Sequence, residues 1–279
     1  MKTSLSIWSC HSKLFSGEWS NADFIAFAQE SGAEGVELLS MFWKPESDIP
    51  AVEAALAQSG LKLACFGACN NLAEPDDGKR REQVEDILRS VDAAVHFGAK
   101  VVRVFAGDVR EGLTIEAARA WIIDGLKEAA NYAESKGIVL SLENHGRLAG
   151  KGTQVLGIIE DVGSPALRST YDMGNFLLVD ENPVTAYEQL TGRITHVHVK
   201  DFKELSESDA AAYPGNVYKS DSGRPFIGVV PGDGNVIVAD RLAALRSSGY
   251  DGWLTVEYEG DEDQQEGSRR AVAYVNQHR

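Results

Sequence analysis

The 279 residues include 42 acidic and 27 basic side chains, for a formal net charge of −15, and 43% of them are hydrophobic. That much apolar material can fill one large core, near the upper size of about 250–300 residues for one domain, so residues 1–279 read as a single domain. The acidic balance argues against a nucleic-acid partner, which would need clustered Lys and Arg. No apolar run approaches the roughly 18–20 residues that cross a bilayer, so no membrane partner is expected.

The opening MKTSLSIWSC turns polar by Cys10 and His11 and reads as the start of a first strand, not a secretion signal. Cys10, Cys65 and Cys69 cannot all pair, and Cys65 and Cys69 lack C-x-x-C spacing. A cytoplasmic, reducing setting with three inert thiols is the expectation.

In chain order, a strand over residues 4–8 and a loop over 9–20 precede a helix over 21–31, whose apolar face is Phe24, Ile25, Phe27 and Ala28. Strand 35–39 presents Glu37 near its C-terminal end, helix 51–58 stops at Gly60, and strand 61–67 follows. The amphipathic stretch 79–97 carries Val84, Ile87, Leu88, Val91 and Val95 on one face and ends at Gly98. Strand 100–105 contains Arg103, helix 115–135 ends before Gly137, and strand 138–143 closes on Glu143. Helix 153–162, strand 167–172 and a helix from Pro183 to Leu190 come next, Pro being tolerated at a first helical position. Residues 193–202, RITHVHVKDF, read as one β-branched strand. An insertion over 203–230 reads as an irregular functional loop, with 213–224 as part of a lid. Helix 236–248, strand 252–258 and helix 264–278 complete the chain.

Eight strand–helix units imply parallel strands with right-handed crossovers, and in this length they fit an α/β fold of the (β/α)₈ TIM-barrel type. An open doubly wound sheet is the alternative; no G-x-G-x-x-G follows the first strand to favour it. A barrel makes a specific demand, that reactive side chains gather at the C-terminal strand ends.

The fifth strand ends in Glu143, the sixth in Asp172, and the last in Glu257, while strand alternation puts His196, His198 and Lys200 on one face of the seventh. These are four neighbouring strand ends, so Glu143, Asp172, His198 and Glu257 are expected to converge. Three carboxylates together repel one another unless a cation joins them. One imidazole with three carboxylates suits a single divalent ion, Mn²⁺ first, with Mg²⁺, Co²⁺, Fe²⁺ and Zn²⁺ also accommodated. The bland alternative is three separate solvated strand-end acids and a packed histidine. His196 lies a layer deeper and reads as a bracing group, and Asp201 as a support for a loop or ligand.

Further candidates for the substrate pocket are Glu37, His145, Lys200 and Arg103, the last with a barrel-interior salt bridge as its alternative. Trp8, His11 and Trp43 near early strand ends are candidates for stacking on a sugar. The tight turn Gly232-Asp233-Gly234 is a weak candidate for phosphate, although a non-phosphorylated substrate is expected.

These motifs carry a resemblance. LENHG (142–146), DMGN (172–175), HVHVKD (196–201), PGDG (231–234) and GWLTVE (252–257) make the chain similar, along essentially its whole length, to the xylose-isomerase-like TIM-barrel superfamily. Within it the chain resembles the sugar phosphate isomerase/epimerase group, with ketose 3-epimerases, hydroxypyruvate isomerase and inosose dehydratase. The resemblance places the family's metal ligands on Glu143, Asp172, His198 and Glu257, and implies that Glu143 and Glu257 also act as acid and base on opposite faces of the substrate. It implies an isomerase or epimerase of a small sugar or keto-polyol, working by proton transfer through a metal-stabilised enediolate. The alternatives are a sugar dehydratase or lyase, inosose-dehydratase-like or acting on a 3-keto sugar derivative, and a non-catalytic carbohydrate-binding barrel.

Three positions depart from the ketose epimerases. Their substrate-binding histidine three residues beyond the metal aspartate is Asn175 here, which takes over as a substrate-binding candidate. A further glutamate is replaced by Ala149 and an arginine by Glu204. The histidine-rich trinuclear site of the related apurinic endonucleases does not fit this histidine-poor, acidic chain. A homo-oligomer is compatible with the architecture, and no interface is read from the sequence.

Overall fold

The computed structural model describes residues 1–110 and 112–279. Eight parallel strands close into a barrel in the order Lys2–Ser6, Trp253–Val256, Ile194–Val199, Leu167–Asp172, Val139–Glu143, Val101–Val104, Lys62–Gly67 and Gly35–Leu39. Named in chain order, these are the first to eighth barrel strands. Closure joins the two chain ends: Lys2 lies opposite Trp253 and Leu5 opposite Val256. The chain is thus a TIM barrel, with the strand-end arrangement that the repeated units demand.

Helices cover the outside, and their limits follow from local chemistry. Asp76 accepts the Lys79 amide to start Asp77–Phe97, and Gly98 at φ +75° ends it. Thr114 does the same for Ile115–Ser135. Alternate strand residues such as Leu140, Leu142, Val197 and Val199 are fully buried, and strand alternation turns them to the helix layer. The opposite face fills the barrel, and it is unusually hydroxylic for an interior that more often packs Val, Ile and Leu. Ser4 Oγ and Thr255 Oγ1 lie 2.6 Å apart, and Thr170 Oγ1 donates to Ser141 Oγ at 2.7 Å, so these buried hydroxyls satisfy one another.

Four expectations are corrected. The first strand stops at Ser6 because the Ser6 side chain accepts the Trp8 amide and turns Ile7–Cys10 into a 3₁₀ turn. The following segment is not all loop, since His11–Phe15 is helical. RITHVHVKDF is two strands: the barrel strand ends at Val199, and Asp201–Glu204 leaves to join a separate sheet. The insertion is ordered, with Pro225–Val229 pairing antiparallel to both Asp201–Glu204 and Tyr218–Lys219, and Phe226 fully buried. Its turn is tied down by Asp180, whose carboxylate accepts from the Ser222 amide and hydroxyl and from Arg224.

Asp201 anchors the next loop. Its carboxylate accepts the backbone amides of Gly232 at 2.9 Å, Gly234 at 3.0 Å and Val236 at 3.1 Å. The chain's own anion therefore fills the amide cradle of Gly232-Asp233-Gly234, which corrects the phosphate reading of that turn. Losing three bonds to a charged acceptor is expected to cost about 3 kcal/mol or more. Asp201→Ala should shift the urea midpoint accordingly at constant m, and an unchanged midpoint would contradict this anchoring role. Among the described residues, no helix is long and apolar enough to cross a membrane.

Candidate metal centre

The fifth, sixth, seventh and eighth strands are consecutive around the barrel. Asp172 and His198 are register partners, so their side chains stand level. Ligand atoms of Glu143, Asp172, His198 and Glu257 all lie within 4.8 Å of one another, and all four residues are buried. His198 Nδ1 is 3.6 Å from Glu143 Oε1, 3.8 Å from Asp172 Oδ2 and 3.7 Å from Glu257 Oε2.

Each of these side chains is aimed from behind. Asn144 exchanges hydrogen bonds with the backbone of Asp172, and Asp172 Oδ1 accepts the amides of Gly174 and Asn175, leaving Oδ2 to face His198. His198 Nε2 lies 3.1 Å from Glu37 Oε2; a carboxylate only accepts, so Nε2 carries the proton and Nδ1 is the atom turned to the other three acids. Asp172 Oδ2 and His198 Nδ1 are buried and make no hydrogen bond among the described residues. Asp172 Oδ2 has only the Lys200 ammonium, at 3.2 Å, beside it, and with His198 Nδ1 unprotonated this oxygen, that nitrogen and the neighbouring carboxylates fit a bound cation; without one, a charged His198 and Lys200 balance the acids.

Buried cations balance the acids. Arg103 Nε sits 3.1 Å from Glu143 Oε2, and its Nη1 donates to the Ala68 carbonyl at 2.7 Å. Lys200 Nζ sits 2.6 Å from Glu257 Oε2, 3.2 Å from Asp172 Oδ2 and 3.1 Å from Glu259 Oε1. Burial pushes both glutamates upward, but His198 with Arg103 for Glu143, and Lys200 with His198 for Glu257, bring each below the ordinary carboxylate value. Burial works against the Lys200 charge too, and Asp172, Glu257 and Glu259 more than restore it, holding its pKa well above the ordinary lysine value.

A cavity of about 350 Å³ opens onto these groups. Its charged side is formed by Arg103, Glu143, His145, Lys200, Glu257 and Glu259, and its other side by Trp8, Leu39, Met41, Cys69 and Phe105. A second cavity of about 360 Å³ shares Trp8, His145, Lys200 and Glu259 with it and reaches Asn175 and Tyr218. His145 packs on Phe105 with ring centroids 4.7 Å apart and remains partly exposed, so its ring is available to a bound molecule. The polar atoms of Asn175 are already engaged with Glu143, Asn144 and Lys200, which makes it a support for those groups.

Glu37 is corrected as a substrate contact. It lies two residues before the end of its strand and is fully buried, with Oε2 taken by His196 at 3.0 Å and His198 at 3.1 Å and Oε1 by Ser6 at 3.1 Å. It belongs to the layer beneath the ligands, where His196 also lies. Trp43 is likewise displaced: it packs on Phe66 and Phe97 in the helix layer. His11 stacks behind Trp8 at 4.6 Å. Glu259 was not foreseen, although it sits two residues beyond Glu257; it accepts from both Lys200 and the Trp8 indole.

The expectation of three inert thiols holds for two positions. Cys10 is buried and its thiol is pushed up to about 12 by that burial, and buried Cys65 is also raised well above its ordinary value. Cys69 is half-buried in the cavity wall. A maleimide should therefore add once to the native protein, at Cys69, and to all three cysteines after unfolding, as read by peptide mass mapping. Native labelling of Cys10 or Cys65 would contradict their packing.

Comparison with known proteins agrees with the barrel fold. The inosose dehydratase of Bacillus anthracis is 29% identical over 196 residues, spanning 64% of this chain and 64% of that protein. The chain thus covers just under two thirds of that relative's length. Among solved structures, a D-tagatose 3-epimerase-like protein superposes with a TM-score of 0.79 at 20% identity, covering 100% of this chain and 97% of its own. The probable 3-DHS dehydratase AsbF of Bacillus anthracis gives 0.77 at 20% identity, covering 99% of each chain. The family described as xylose isomerase-like TIM barrel matches residues 25–278. With so much of its length matched, the chain belongs to the xylose isomerase-like TIM barrel family.

Proposed function

We propose that this chain is a divalent-metal-dependent enzyme that moves a proton on the carbon beside a carbonyl in a small sugar or keto-polyol, as an isomerase or epimerase. The observation that carries this reading is the placement of Glu143 and Glu257 on the outer two of four neighbouring strands, flanking Asp172 and His198. Glu143, Asp172, His198 and Glu257 would hold the ion, with Mn²⁺ expected for one imidazole and three carboxylates. When bound, a divalent ion supplies Lewis-acid polarisation of the substrate carbonyl.

The remaining chemistry belongs to the chain. One glutamate, ionised, takes the proton from the carbon between carbonyl and hydroxyl; the other, after picking up a proton from solvent in the open cavity, returns it to the opposite face of that carbon, giving epimerisation, or to its neighbour, giving isomerisation. Arg103 and Lys200 favour the ionised form of the two carboxylates, so that the one acting as base is unprotonated when substrate arrives. The partly exposed His145 ring presents a hydrogen-bonding group to substrate oxygens from the cavity wall, while the Lys200 ammonium is committed to Asp172, Glu257 and Glu259.

Dehydration is the second reading, favoured by the inosose dehydratase relative. The same proton abstraction, on a substrate with a hydroxyl one carbon further on, expels that hydroxyl, which takes up a proton from solvent in the open cavity and leaves as water. Incubating the Mn²⁺-loaded protein in D₂O with ketoses and inososes separates the two. Deuterium gained with the skeleton intact supports isomerisation or epimerisation, and loss of water supports dehydration. A protein that binds a member of the panel but does neither is a carbohydrate-binding barrel, and both catalytic readings then fail.

A further inference from the structure

The apolar side of the first cavity comes from the segments at the ends of the first four barrel strands, and the charged side from the fifth, seventh and eighth, joined by Arg103 of the fourth. Trp8 follows the first strand, Leu39 and Met41 lie at the end of the second, Cys69 follows the third and Phe105 the fourth. The polar groups of these same segments are already engaged within the protein. Ser40 Oγ donates to Asp86 on the outer helix at 2.9 Å. Asn70 is used on the Phe105 backbone, donating to its carbonyl at 2.7 Å and accepting its amide at 3.0 Å. The Trp8 indole N–H donates to Glu259 at 2.9 Å. Beyond this wall the apolar surface continues outward: Met41 is 47% exposed, and Phe15 is 61% exposed with its ring edge-on to Trp8.

This wall offers a bound molecule carbon surface and the Cys69 thiol, and few hydrogen-bond partners. A polyol chain laid against it would have hydroxyls stripped of water and left unpaired, the kind of mismatch by which a site rejects a substrate. An aromatic or ring CH face would instead gain contact with Trp8 and Phe105 and cover Met41. We propose that the substrate is amphiphilic: an α-hydroxycarbonyl head at the Glu143–Glu257 side, joined to a hydroxyl-poor planar or ring-shaped tail that lies on Trp8, Leu39, Met41 and Phe105. The head rests on the function proposed above; the tail rests on the wall alone.

Three probes with one head and different tails test this on the Mn²⁺-loaded protein: 2-hydroxyacetophenone with an aryl tail, hydroxyacetone with a methyl group, and erythrulose with hydroxyls. Solvent-deuterium exchange at the carbon beside the carbonyl gives kcat/KM by NMR, and titration calorimetry gives Kd. The expected result is aryl over erythrulose by at least tenfold in both, with Met41→Asn reducing that ratio at least threefold and Met41→Leu preserving it. A ratio below tenfold, or one that Met41→Asn leaves unchanged, overturns the amphiphilic substrate while the α-hydroxycarbonyl reading stands. Absence of both binding and exchange for all three probes overturns the two together.

Discussion

Glutamine at position 143 or 257 is expected to leave the barrel folded and to lower solvent-deuterium exchange by about 10²- to 10⁴-fold at saturating Mn²⁺, the span associated with a positioned acid–base group. Glutamine keeps the shape of the side chain and its carbonyl can still accept from Arg103 or Lys200, but it neither takes up nor releases a proton. Stability is expected to change little, because two effects oppose. A buried cation loses part of its counter-charge, while repulsion among Glu143, Asp172 and Glu257, whose ligand atoms crowd within 4.8 Å, is relieved. Both measurements are needed, near-UV circular dichroism and melting for the fold and exchange for the chemistry. Saturating metal matters because an amide is the poorer ligand, and a variant that merely loses its ion recovers as Mn²⁺ is raised. Exchange within threefold of wild type in either variant removes that glutamate from the proton transfer.

What could be read from the chain follows where local chemistry is decisive. Residues 115–135, 167–172, 183–190 and 264–278 have the limits expected from periodicity and stop signals. The first strand was misplaced because Ile7 and Trp8 have strand-like side chains, whereas a single hydroxyl, Ser6, decides that the backbone turns there. The hairpin of the insertion was missed because Pro225 opens its central strand and its tie to Asp180 is distant in sequence. Strand ends are visible in sequence, so four candidate ligands could be named together. Depth along a strand is less visible: Glu37 and Glu143 both look like acids near a strand end, yet the first is three residues into a five-residue strand and lies under the ligands. The cavity wall was legible only at Trp8: Met41 and Cys69 sit in segments without periodicity, Phe105 closes a strand with nothing to mark which way it faces, and barrel closure alone brings them together.

Replacement of Lys200 by methionine is expected to expose how the site is held together. Its ammonium is buried and touches three carboxylates, Asp172, Glu257 and Glu259. Methionine fills much of the same volume but leaves those acids without their nearest cation. Arg103 is committed to Glu143 on the other flank. Breaking a buried pair from one side costs about 3–5 kcal/mol, and at about 2–4 °C per kcal/mol for a chain approaching this size the melting temperature should fall by roughly 10 °C in the presence of EDTA. With Mn²⁺ the loss should be much smaller, because an ion held by Glu143, Asp172, His198 and Glu257 would supply the missing charge, and stabilisation by a ligand grows with its saturation of the native state. The comparison therefore tests the ion site through stability alone, without a substrate. An equal loss with and without metal would mean that the four carboxylate and imidazole groups do not share a cation, and no loss in EDTA would mean that Lys200 is not what balances Asp172 and Glu257.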